Sequence, residues 1–273
     1  MHSRLHSALA LALFLTSCTS GPPPVQKGTP PFYWQAANET FAAGDFEKTT
    51  EHLSQLIKTQ NEFTARAFPW SLVLSAGVAN GYLELADTFE TGGRQNKANP
   101  TPFRRLTSDY RGNGNQRVLH FVGQFQKFLE TSKDENIVLA FPFPTGSAAA
   151  VPQLARAGSG VLLLENEVAT AQRRAIERAV LMLACRAVGA PEDTAKAREV
   201  FKPGSPAIPR ATFMLAMAGA LYNQSQLYVS NRLDQPDRLK TLCKIAGDIL
   251  APLPDSKEKK DLDKKIQAAL KAN

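Results

Sequence analysis

Six basic side chains gather in one polar stretch of this chain: Arg94, Lys97, Arg104, Arg105, Arg111 and Arg117, facing a single acid, Asp109, with Phe103 and Tyr110 interleaved. Guanidinium forks pair two oxygens of a phosphate or carboxylate at once, and a nearby helix start would add backbone donors, so the chemistry open to this stretch is anion contact. The plain alternative is a long solvated loop whose charges keep it in water.

Other reactive residue types are sparse. Carboxylates cluster as Glu84, Asp87 and Glu90, and again as Glu165, Glu167 and Glu177; acid–base chemistry would need two of them to meet in one cleft with separated pKa values. Glu177 has Arg173, Arg174 and Arg178 within helical reach, which points to solvated ion pairing instead. Metal binding needs several converging ligands, yet His52, His120, Cys185 and Cys243 include no two at short ligand spacing. Ser159 lies between glycines without a nucleophile elbow around it, and Ser256 with Lys259 fits a Ser-x-x-Lys spacing inside a charged terminal helix without companion motifs. Phosphate-cradling glycine loops are missing from the sequence. The expectation is a non-enzymatic protein with no metal and no cofactor.

The most specific chemistry is at the start of the chain. Arg4 and two histidines precede the apolar run Ala8 to Leu15, which is too short to span a bilayer, and Leu15-Thr16-Ser17-Cys18 follows. This stretch resembles the signal and lipobox of bacterial lipoprotein precursors. The resemblance implies that residues 1–17 are a signal peptide cleaved before Cys18, that the Cys18 thiol carries a diacylglyceryl group, and that the new amino terminus is acylated. Each buried methylene adds about 0.8 kcal/mol, so two or three chains hold firmly. Thr19 stands where an aspartate would suggest inner-membrane retention, so by analogy the protein belongs to the cell envelope, anchored in the outer membrane and facing the periplasm. Residues 18–31 then form a Pro- and Gly-rich leash, with Pro22-Pro23-Pro24 and Pro30-Pro31 favouring polyproline II; a dozen such residues reach about 40 Å at 3.1 Å each.

Composition agrees with an exported, folded body. With 43% hydrophobic residues a substantial core can be buried, and about 255 residues after the signal make one large or two small domains. Cleavage would remove Arg4 alone from the 32 Lys and Arg, which still outnumber the 25 Asp and Glu. In the envelope such a balance points to anionic lipid, cell-wall polymers or acidic proteins, and away from nucleic acid. Cys185 and Cys243 either pair, closing a loop of about 58 residues and contributing about 4 kcal/mol, or remain two buried thiols on separate helices.

These groups must be positioned by helices. Apolar periodicity predicts helices over 32–43 and 46–59, around Gly44-Asp45, then over 70–90, ending at Gly92-Gly93. A polar loop from Arg94 to Asn115 leads to a helix over 116–130 dense in phenylalanine. Residues 137–144 read as a short strand or extended loop, followed by a Gly/Ala/Ser run to Gly160. Helices follow over 161–188 and 191–201, an irregular stretch covers Pro203 to Pro209, and further helices run over 211–232, 236–250 and 256–272. The count is about nine. The fold class is all-α, an irregular bundle or short solenoid occupying 32–273 as a single domain of helical hairpins.

The turn Ala42-Ala43-Gly44-Asp45-Phe46-Glu47-Lys48 resembles that of a tetratricopeptide repeat, although no second copy follows 34 residues on. Hairpins and anchor together resemble, in architecture alone, the T-component lipoproteins of TRAP transporters. From these features the expected function is a lipid-anchored helical adaptor or scaffold for another envelope protein. The alternatives are a solute-handling transport accessory with a small-molecule cavity near Phe141 to Gly160 and, more remotely, a cell-wall or lipid-associated enzyme. Oligomeric state is not encoded in any motif.

Overall fold

The computed structural model describes residues 25–201 and 207–272. The lipobox with Cys18, the signal peptide, the leash up to residue 24 and the stretch 202–206 lie outside them. Among the described residues the chain forms ten α-helices and one two-residue β-bridge, an all-α fold as the periodicity predicts.

Helix α1 (Pro30–Ala42) starts two residues earlier than the leash reading allows, because Pro30 and Pro31 occupy the first helical positions, where a missing N–H costs nothing. It turns into α2 (Phe46–Leu56) through Gly44 at φ +75°. Asp45 N donates to Thr40 O at 2.9 Å and Gly44 N to Phe41 O at 3.0 Å, a Schellman closure, while Asp45 Oδ1 accepts from Lys48 N at 3.1 Å and caps α2.

The 32-residue α3 (Thr64–Gln95) is the axis of the molecule, about 48 Å long at 1.5 Å per residue. It lies along α4 (Thr101–Thr131) and α6 (Glu165–Ala187) and touches α2, α5 (Pro152–Gly158) and α8 (Arg210–Ser225). Two expectations fail on it. Pro69 does not open the helix but sits inside it, close enough to the N-terminus that little of the hydrogen-bond ladder is lost. Gly92 and Gly93 do not end it either. A Cβ on Gly92 would lie 2.1 Å from Ala157 O and 2.7 Å from Phe103 Cε1, so that glycine makes room for α5 and α4. Gly77 and Gly81, one turn apart, do the same for α6, whose Val180 and Ile176 backbones press directly on them.

The loop expected from Arg94 to Asn115 shrinks to residues 96–100. Helix α4 begins at Thr101 because Phe103, Thr107, Tyr110, Gly114, Val118, Phe121, Phe125 and Phe128 form one unbroken buried stripe at spacings of three and four. Pro100 and Pro102 fall at or before its first positions, and its glycines are tolerated along a helix that is packed over its whole length.

Helix α5 was not foreseen in the Gly/Ala/Ser run, and α6 begins at Glu165 rather than Val161, leaving 161–164 extended. Beyond α7 (Thr194–Val200), Ile208–Pro209 pairs antiparallel with Asn136–Ile137, while the rest of the stretch 137–144, read as a short strand or an extended loop, joins no paired strand. After α8, a 3-10 turn (Gln226–Tyr228) and an irregular stretch lead to α9 (Pro236–Leu250) and α10 (Lys257–Ala272). Cys185 is buried on α6 with Leu181, Ala190 and Ala197, and Cys243 is buried on α9 with its Sγ 3.4 Å from Ser225 Oγ. Both thiols are free, so of the two sequence readings the structure takes separate buried cysteines on different helices.

Candidate functional site

The C-terminal end of α3 carries Glu84, Asp87 and Glu90 at three-residue spacing, and each carboxylate is claimed by an arginine from a different part of the chain. Glu84 meets Arg178 of α6, Asp87 lies 2.8 Å from Arg232 in the stretch after the 3-10 turn, and Glu90 lies 2.9 Å from both Arg111 of α4 and Arg94 of α3. Burial raises the Asp87 carboxyl above its ordinary value, with Arg232 opposing the rise. Three acids that could have formed an acid–base cluster instead tie three elements to α3.

Beside this ladder lies a groove of about 760 Å³ between the last turns of α3, the first turns of α4 and residues 232–233. Among the described residues its cations are Arg94, Lys97, Arg104, Arg111 and Arg232, and its one carboxylate is Glu90. Arg104 and Arg111 are seven residues apart, two turns of helix, and therefore share the face of α4 that lines the groove. Among the described residues neither Lys97 nor Arg104 has an ion-pair partner. Arg111 Nη2 is 2.9 Å from Glu90 Oε2 but misaligned for a hydrogen bond, and its Nε has no acceptor among the described residues.

Four of the six predicted anion contacts, Arg94, Lys97, Arg104 and Arg111, converge here. The structure does not bring the other two with them. Arg105 is exposed about 100° around α4 from Arg104, and Arg117 faces α2, where it pairs with Glu47. Glu47 also accepts from Tyr82 at 3.0 Å; burial first, and then the Glu47 charge and this hydrogen bond, raise the pKa of the Tyr82 phenol. Phe103 and Tyr110 are not ligand-stacking rings but core, packed on Phe89 at 6.2 and 5.6 Å. Sequence reasoning missed Arg232, which lies far along the chain with no local signal.

A second cleft of about 550 Å³ lies across the Asp87–Arg232 pair. It sets Glu84, Asp87 and Glu192 against Arg178, Arg186 and Arg232, so its charges balance and it offers no comparable preference for anions.

The remaining candidates have structural partners. Glu167 accepts from Leu164 N at 2.9 Å and pairs with Arg156, closing the start of α6; Glu177 pairs with Arg174 at 3.0 Å. Ser256 Oγ accepts from Lys259 N at 3.0 Å, and Ser159 Oγ donates to Arg156 O at 2.8 Å. Phe141 is buried, stacked 5.5 Å from Trp70 and edge-on to Phe201, so it fills the core where a small-molecule cavity was expected. Among the described residues no group of His, Cys, Asp and Glu is placed to hold a metal.

One polar network was not foreseen. Gln124 Nε2 reaches His120 Nε2 at 2.8 Å and Ser54 Oγ at 3.0 Å, while its Oε1 accepts from Ser71 at 2.9 Å and lies 3.1 Å from Ser75 Oγ, which donates to Ser71 O at 2.6 Å. Ser54 Oγ lies 3.1 Å from His120 Nε2 but also donates to Thr50 O at 2.6 Å, so its proton is not held for the imidazole. His120 is a neutral acceptor joining α2, α3 and α4. Burial and the Arg117 charge hold its pKa below the ordinary histidine value. Protonation therefore favours the unfolded chain, and stability is expected to be full above about pH 6.5 and to fall on acidification below it, by at most about 1.4 kcal/mol per pH unit for one group. Denaturant melts at several pH values should show this slope reduced in His120→Gln; an unchanged slope would mean that His120 is not the group responsible.

The chain matches no family model, no curated protein and no solved structure.

Proposed function

We propose that this protein is a lipid-tethered, non-enzymatic adaptor of the bacterial envelope, held by acylated Cys18 in the outer membrane, and that the basic groove is where it binds an acidic partner protein. The observation that carries the reading is the convergence of Arg94, Lys97, Arg104, Arg111 and Arg232 from three parts of the chain on one concavity with a single carboxylate. Two of the five cations, Lys97 and Arg104, are free to pair, which gives a ligand charge-assisted bonds without first breaking internal ones. The carboxylates nearby are committed to holding helices together, which favours binding over catalysis.

Two measurements test it. Detergent partition and intact mass of the full-length product should place it in the membrane phase with an acyl increment, and Cys18→Ser should release it; a Cys18→Ser product that stays in the membrane phase overturns the anchor. Crosslinking in cells should capture an envelope protein through residues near Lys97, with Lys97→Glu plus Arg104→Glu cutting capture more than tenfold, since each charge-assisted bond contributes about 1.5–3 kcal/mol. Capture indifferent to the double reversal overturns the groove.

A further inference from the structure

The second cleft, across the Asp87–Arg232 pair, holds two unlike charges that nothing in the fold uses. Arg178, Met182 and Arg186 fall at four-residue spacing and line it as one stripe of α6. Arg178 is taken by Glu84, and Asp87 by Arg232. Arg186 stands about 12 Å farther along the helix than Arg178. Its side chain has no ion-pair or hydrogen-bond partner among the described residues, and neither has that of Glu192, the remaining carboxylate on the cleft. Both come from the same end of α6. Gly189 N donates to Arg186 O and Ala190 N to Cys185 O, each at 3.0 Å, folding the chain back on the last helical turn just before Glu192. The floor of the cleft is apolar, with Leu83 and Leu183 buried and Met182 half-buried.

Glu192 also has a backbone that does not suit its type. Asp193 N donates to Ala190 O at 3.1 Å, closing a turn whose central residues are Pro191 and Glu192. Proline holds φ negative at the first of these, and Glu192 takes φ +65° at the second, where glycine or asparagine is the ordinary choice. A glutamate in the left-handed region is strained, and strain of this kind gathers at ligand clamps and active sites.

We infer that this end of the cleft binds a free α-amino acid with an uncharged side chain, its carboxylate on Arg186, its ammonium on Glu192 and its side chain over Met182. The charges select that class. An anion alone would face Glu84, Asp87 and Glu192, and a cation alone would face Arg178, Arg186 and Arg232. A zwitterion meets one free group of each sign without breaking either internal pair, and the bonds it makes are charge-assisted. The apolar floor disfavours a third charge on the ligand. A cleft of about 550 Å³ has room for a molecule of this size. The inference goes beyond the adaptor reading and uses neither Lys97 nor Arg104 of the basic groove.

The test is calorimetric titration of the purified full-length chain with a panel of L-α-amino acids that carry uncharged side chains. At least one should bind with Kd below about 1 mM. Its N-acetyl derivative lacks the ammonium and its carboxamide lacks the carboxylate, and each should bind more than about tenfold more weakly, since hydrogen bonds to charged groups contribute on that scale. Arg186→Gln and Glu192→Gln should each weaken the amino acid itself by a similar factor. Glu192→Gly separates binding from stability: relief of the left-handed strain should raise the melting temperature by roughly 2–4 °C while affinity is lost. No binding by any member of the panel overturns the inference, and so do blocked derivatives that bind as well as the parent amino acid. Binding of glycerophosphoethanolamine but of no amino acid assigns the site to a lipid headgroup and overturns it too. A Glu192→Gly chain that keeps full affinity, or that melts no higher than the parent, overturns the role given to Glu192.

Discussion

Gly77→Val is expected to destabilise the fold by about 3 kcal/mol, at the upper end of overpacking costs, and to lower the melting temperature by roughly 6–12 °C. The first added atom decides it. A Cβ at Gly77 would sit 2.7 Å from Val180 Cα and 2.8 Å from Val180 Cγ2, and at Gly81 2.8 Å from Ile176 Cα. A side-chain tip can rotate away, but a backbone atom in the middle of α6 cannot, so α6 must move off α3 over several turns and surrender dispersion contacts on both sides. The same substitution type where space is open should act in the opposite direction. Gly123 lies on the exposed face of α4 with nothing within 4 Å of its built Cβ, and Gly123→Ala should stabilise by up to about 1 kcal/mol through helix propensity alone. Thermal melts of the two variants side by side separate close approach from glycine's conformational cost. A Gly77→Val protein that melts with the parent would mean that α3 and α6 are not packed at this distance.

Trp70→Ala is expected to cost about 3–5 kcal/mol, among the largest losses a single truncation produces. Trp70 is fully buried and stands at the centre of an aromatic cluster: Phe141 lies parallel to it at 5.5 Å, Phe41 and Trp34 meet it edge-on at 5.3 and 5.5 Å, and Phe201 continues the chain of rings through Phe141. Those partners come from α1, from the irregular stretch after Asn136–Ile137 and from the end of α7. Removing the indole leaves a cavity that rigid neighbours cannot fill, and the packing of the hairpin on the central helix is weakened with it. The indole N–H makes no hydrogen bond among the described residues, so Trp70→Phe should recover most of the loss. Equilibrium unfolding in urea should report a large fall in midpoint for the alanine variant and a small one for phenylalanine; equal losses would point to the N–H, through an unseen partner, as the stabilising group.

The helical class, the hairpin around Gly44 and the faces of α3 and the second half of α4 were legible because they depend on local rules. Apolar spacing of three and four marks a buried stripe, and a glycine followed by aspartate marks a Schellman stop and a cap. The first half of α4 was hidden by the same reasoning. Arg104, Arg105, Asn113 and Asn115 make residues 101–115 read as loop, while Phe103, Thr107, Tyr110 and Gly114 keep the buried register beneath them; Thr107 and Gly114 do not look like core until Phe89 and Tyr82 are known to lie opposite. Gly92 and Gly93 read as a helix end for a similar reason: glycine allows both a turn and a close approach, and only the neighbour across the gap distinguishes the two.

The cationic stretch itself was written in the chain, with its residue types and its sign. Which of its six members act together was not, because that depends on angle around a helix that the sequence reading had taken for a loop. Once α4 forms, rotation of 100° per residue sends Arg105 outward and Arg117 toward Glu47, and keeps Arg104 and Arg111 in register. Arg232 joins them only because Asp87 draws it in from more than a hundred residues away. Local spacing determined what this protein is made of and where its charge lies; long-range packing decided which charges meet, since a contact between distant residues leaves no periodic trace in the order of either one.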